Sequence, residues 1–101
     1  MNRIERIRAM EALLNEIGDA VEALANALED YAAAQAKIRR LSAYYGSDSW
    51  YGDREADENG KLPEDLRRGV LSEDLIYGVL TGNRDNAIRM LELGTRILKD
   101  M

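Results

Sequence analysis

Apolar residues in the first half of the chain recur at steps of three and four: Ile7, Met10, Leu14, Ile17, Val21, Leu24, Leu28, Tyr31, Ile38 and Tyr45. Only Gln35 and Ser42 interrupt the rhythm, as polar residues at a positions. This is a heptad repeat held for more than five heptads, with Ile7 at a and Met10 at d, and it predicts a long helix over residues 2–45. Small residues flank the seam (Ala20, Ala25, Ala27, Ala32, Ala34), and charged ones such as Glu16, Asp19, Glu29 and Arg40 lie outside it. A second stripe runs through Leu75, Ile76, Val79, Leu80, Ala87, Met90, Leu91, Ile97 and Leu98. Ser72 ahead of Glu73-Asp74 is a hydroxyl N-cap with acid in the first turn, which predicts a second helix over 72–99. Thr81-Gly82-Asn83 suggests a kink within it.

Residues 46–71 read as an ordered crossover. Gly46 is a C-cap glycine and Ser47 can cap a new turn. Asp53–Gly60 is an acidic run ending in an Asn-Gly turn. Leu62-Pro63 predicts a short helix from Pro63 to Arg68, closed by Gly69. No segment alternates with the period of a strand. The expected fold is therefore all-α and a single domain over 1–101: a long first helix, a crossover with short helical turns, and a second long helix packed antiparallel on the first.

Length adds a constraint. Forty-odd helical residues make a rod of roughly 63 Å, and the second helix covers only roughly 40 Å of it. A compact domain of this size has a radius of gyration of about 13 Å. Three arrangements would cover the excess stripe: a folded-back crossover, a break near Gly18-Asp19 or Gln35, or a second copy. The heptads favour the second copy, so a homodimer is expected.

Composition agrees with helix and narrows the chemistry. Ala, Leu, Arg, Glu and Lys supply about half of the 101 residues. The absence of Cys excludes disulfides and thiolate metal sites, and the absence of His removes the commonest general base. A net charge of −5 without a basic cluster argues against nucleic acid. No stretch is apolar enough to span a membrane, and the first residues lack the apolar segment of a signal peptide, so a cytoplasmic location is expected.

The middle block carries a resemblance. Tyr44-Tyr45-Gly46-Ser47, Trp50, Asp53, Ala56-Asp57-Glu58, Gly60, Leu62-Pro63, Asp65-Leu66 and Gly69-Val70-Leu71-Ser72-Glu73-Asp74 resemble the domain-of-unknown-function family 4298, a family of small bacterial helical proteins. The resemblance spans nearly the whole chain, since the family also has a long amphipathic helix on each side of this block. It implies the helical architecture and a bacterial cytoplasmic origin. It brings no activity, substrate or catalytic residue.

Chemistry-bearing patterns are few. Glu55-x-Asp57-x-Asn59-Gly60-x-Leu62 copies the first eight positions of an EF-hand loop, but Leu66 stands where the bidentate Glu belongs and Pro63 takes position nine. The run is either a solvated acidic turn or, as the alternative function, a divalent-cation module over 53–65. Glu16-x-x-Asp19 lacks the second carboxylate pair that a two-metal hydrolase requires, because Glu92 has no acidic neighbour at helical spacing. With neither Cys nor His, no nucleophile has a recognisable base. The expectation is a protein that is no enzyme and takes no cofactor or metal, acting instead as an interaction or self-assembly module. Five of six aromatics gather at the crossover and its neighbours. With nearby arginines they form the candidate interaction surface: Tyr44, Tyr45, Trp50, Tyr51, Arg54, Arg67, Arg68 and Tyr77. The competing reading has these aromatics plugging the end of the bundle, with Trp50 buried.

Overall fold

The fold is all-α in a computed structural model that describes residues 2–101. Helix α1 spans Arg3–Tyr44, α2 spans Asp48–Glu58, a 3-10 turn spans Gly69–Leu71, and α3 spans Glu73–Asp100. There is no strand among the described residues. The chain divides into a first unit ending at Ala36 and a second unit, Lys37–Met101.

Among its described residues the first unit is helical from Arg3 onward. Its start is capped: Asn2 Oδ1 accepts from the Glu5 amide at 2.8 Å, and Asn2 Nδ2 donates to Glu5 Oε1 at 3.1 Å. The first bond is an N-cap with Asn as the capping residue, and the second ties the two side chains together. Gly18 does not interrupt α1, so the break considered there does not occur. No residue of α1 is buried. The seven seam positions from Ile7 to Leu28 are each 43–64% exposed. The stripe expected to lie under a packed neighbour is open to solvent in the single chain.

The second unit holds the core, formed by Trp50, Leu71 and Ile76. Its elements meet through the 3-10 turn, which contacts both α2 and α3. Gly46 ends α1 at φ +78, a left-handed conformation that glycine adopts without penalty. Ser47 then caps α2, its hydroxyl accepting from the Trp50 amide at 3.2 Å. Gly60 ends α2 at φ +66, with Lys61 N–H donating to Ala56 O and Gly60 N–H to Asp57 O. That pair of bonds is a Schellman motif. Ser72 caps α3 as its sequence predicts, accepting from the Leu75 amide at 3.4 Å. α3 runs unbroken through Thr81-Gly82-Asn83.

Two expectations for the crossover need correction. The acidic run ends in a turn at Asn59-Gly60 as expected, but its residues Asp53–Glu58 are helical, within α2, and not themselves a turn. Pro63–Arg68 is no helix; it retains one turn bond, from Leu66 N–H to Pro63 O. The cause is Arg68, whose guanidinium donates to the carbonyls of Pro63 (2.9 Å), Glu64 (3.3 Å) and Leu66 (3.3 Å). Those bonds hold the segment as a loop around one side chain.

Candidate interaction surface

Trp50 organises the candidate residues. It sits in the first turn of α2, where the Ser47 cap fixes its backbone, and only 2% of its surface is exposed. Burying an indole leaves its N–H in need of an acceptor. The Val70 carbonyl fills that need at 3.1 Å. Tyr45 meets the indole edge-on with ring centres 5.0 Å apart, and Tyr51 does the same at 5.1 Å. The Arg54 guanidinium carbon lies 5.0 Å from the ring centre, a cation–π contact one turn along α2.

The two tyrosine hydroxyls tie neighbouring elements to this centre. Tyr44 donates to Asp53 Oδ2 at 2.6 Å, joining the end of α1 to α2. That bond, together with burial and the carboxylate's charge, pushes the Tyr44 hydroxyl up to about 12. Tyr45 donates to Glu73 Oε1 at 3.4 Å, and burial and the Glu73 charge raise its hydroxyl above the ordinary value. Arg68 pairs with Asp57 while its other nitrogens hold the loop carbonyls, so the pair clamps the loop to α2.

The candidate set therefore divides. Trp50 is the buried centre, with Tyr45, Tyr51 and Arg54 packed on its ring and Tyr44 and Arg68 engaged in clamps. Tyr51 and Tyr77 present most of their surface to solvent, at 60% and 61%, and Arg67 is exposed. The EF-hand resemblance does not extend to a loop, because Glu55, Asp57 and Glu58 are helical and Asp57 is engaged by Arg68. No group of three acidic side chains is placed to hold a metal among the described residues. Likewise, no helix among them is long and apolar enough to cross a membrane.

The profile of a family described as a domain of unknown function, DUF4298, matches residues 7–93. The chain belongs to the DUF4298 family. No curated protein and no solved structure matches it. The matched span of this DUF4298 chain begins at the first seam residue of α1, contains the whole crossover, and ends in the last third of α3.

Outside the aromatic cluster the family member carries a larger feature. The apolar faces of both long helices are uncovered in the single chain: Leu14 and Val21 on α1 are each 64% exposed, and Leu91 and Leu98 on α3 are 72% and 73% exposed. The heptads of the first helix and the apolar stripe of the second mark these faces in the sequence. Periodicity identifies a sticky face without identifying what covers it.

Proposed function

We propose that this chain is a non-catalytic, cytoplasmic self-assembly module that pairs with a second copy through the seam of α1. One observation carries this: a heptad seam of seven consecutive apolar positions on a helix with no buried residue. Soluble monomers rarely leave so long an apolar patch in water, and patches of this kind mark interaction sites. The second copy is favoured as occupant because two-fold pairs of like chains are the commonest assemblies. The lack of both Cys and His supports the non-catalytic part, since it leaves the hydroxyls without their usual activating base.

Sedimentation at micromolar concentration tests the proposal. The expected species has twice the 11.4 kDa mass of the chain. Leu14→Glu and Val21→Glu should return it to a monomer. Both side chains are exposed within the single chain, so the second unit should unfold as before in either variant. A wild-type protein that sediments at 11.4 kDa would refute the pairing.

A further inference from the structure

We propose that Asn59 is a site of self-modification, where the side-chain amide converts to an isoaspartyl linkage, and that the C-terminal cap of α2 holds this conversion in check. The proposal does not depend on how α1 pairs.

The sequence singles out one step. Asparagine occurs at positions 2, 15, 26, 59, 83 and 86. Asn59 alone is followed by glycine; the others precede Arg3, Glu16, Ala27, Arg84 and Ala87. The reaction is attack of the following backbone nitrogen on the side-chain carbonyl carbon. Glycine has no Cβ, so it shields that nitrogen least and lets the backbone turn most freely. A bond forms between Gly60 N and Asn59 Cγ, and the Cγ–Nδ2 bond breaks. The Nδ2 group departs as ammonia, taking the amide proton of Gly60. Water then opens the succinimide at either carbonyl, leaving an isoaspartyl or an aspartyl residue at position 59.

The fold exposes this pair to solvent but holds it in an unreactive conformation. Asn59 and Gly60 are both exposed, so water reaches them. Asn59 stands at φ −88 and ψ 9, which puts the Gly60 nitrogen across the Cα–C bond from the Asn59 side chain. Ring closure needs the two on the same side, so ψ of Asn59 must turn by more than a right angle. Two bonds resist that turn. Gly60 N–H donates to Asp57 O at 3.1 Å, and Lys61 N–H donates to Ala56 O at 2.9 Å. Both donors lie beyond the rotating bond, so both are carried away when it turns. The Gly60 proton that must leave is itself held by the first of them. Arg68 reinforces the cap, since it engages the Asp57 side chain while gripping the carbonyls of Pro63, Glu64 and Leu66. The loop after Gly60 is thus tied to the helix end that has to open.

The conversion runs one way. An isoaspartyl linkage routes the backbone through the former side chain and adds a methylene between positions 59 and 60. The two cap bonds depend on the number of backbone atoms between donor and acceptor, and the longer path no longer fits them. The freed carboxylate also follows Asp57 and Glu58 at the negative pole of α2. The cap therefore stays open and the loop over 61–68 loosens. Trp50 lies in the first turn of α2, at the far end, and keeps its bond to Val70.

Ageing the purified full chain at mildly alkaline pH tests this. The tryptic peptide 55–61 contains Asn59, and fragmentation that distinguishes isoaspartyl from aspartyl residues reads the product. In guanidinium chloride, where the chain is unfolded, position 59 should convert ahead of every other asparagine. In the folded chain it should convert more slowly by about tenfold or more, because two backbone bonds must open first. Arg68→Ala should speed conversion in the folded chain about fivefold. If that variant fails to fold, its rates with and without denaturant coincide, and Asp57→Asn, which removes only the ion pair, should show a rise in the same direction. The isolated isoaspartyl form should exchange its amides faster over residues 60–68 while Trp50 fluorescence stays unchanged. Slow conversion at position 59 in denaturant, or earlier conversion at another asparagine, would overturn the site. Equal rates in folded and unfolded chains would overturn the protection by the cap, and a folded Arg68→Ala or Asp57→Asn variant with the parent rate would overturn the part given to the clamp. An isoaspartyl form that exchanges as slowly as the parent would overturn the one-way opening.

Discussion

The indole N–H of Trp50 reaches across twenty residues of sequence to the carbonyl of Val70 at 3.1 Å. That bond joins the start of α2 to the 3-10 turn leading into α3, and the indole fills the space between them. Trp50→Ala removes both the filling and the bond. A loss of about 3–5 kcal/mol is expected, enough to unfold a marginal unit of this size. Chemical denaturation followed by circular dichroism measures it. A loss below about 1 kcal/mol would show that the crossover is held elsewhere.

Arg68 should prove difficult to replace. Its guanidinium serves Asp57 and three carbonyls at once, a fork that a lysine ammonium cannot reproduce. Because the pair is part-exposed, its ionic component is small, and most of the effect comes from the carbonyls. Arg68→Ala is expected to cost about 1–2 kcal/mol, and Arg68→Lys should recover little of it. Amide exchange at residues 63–68 should accelerate in both variants. Full recovery by Lys would show that charge alone matters.

The Tyr44–Asp53 bond gives the fold an alkaline edge. The folded pKa, about 12, lies above the ordinary 10.0. Below pH 10 both states hold the proton and the bond contributes in full. Between pH 10 and 12 the unfolded chain releases its proton while the folded one retains it, so stability falls with rising pH across that window. Tyr44→Phe should cost about 1 kcal/mol at neutral pH and flatten this part of the profile. Melting temperatures from pH 8 to 12 for the two proteins would reveal the difference, and parallel curves would contradict it.

Gly46 is a backbone requirement. A side chain there would meet nothing within 4 Å, so any cost comes from the positive φ alone. Gly46→Ala should lower stability by about 1 kcal/mol. Gly46→Asn should cost less, since Asn tolerates the left-handed region better. Equal losses from the two substitutions would point to a different cause.

Where sequence reading succeeded, the determinants were local. Steps of three and four located α1 and α3, Ser47 and Ser72 announced caps that form, and a lone Trp in a chain without Phe marked its buried centre. Where it failed, a distant partner decided the outcome. Pro63–Arg68 has a good helix start, yet its carbonyls bond to the side chain of Arg68, which Asp57 anchors from eleven residues away. Glu55 and Asp57 copied a cation loop in spacing alone, because spacing does not reveal that the segment is helical. The Asn2–Glu5 cap was missed although both residues stand at the usual interval.

A helix without a single buried residue has little to hold it beyond its own backbone bonds, which are marginal in water. In dilution α1 should fray first, and its Arg and Lys bonds should be the earliest cut by trypsin. Assembly would remove that vulnerability, so the lifetime of the chain should lengthen as its concentration rises. Copies whose seam stays uncovered would be the ones degraded. In that way the exposed seam would tie the chain's survival in the presence of a protease to whether the seam is covered.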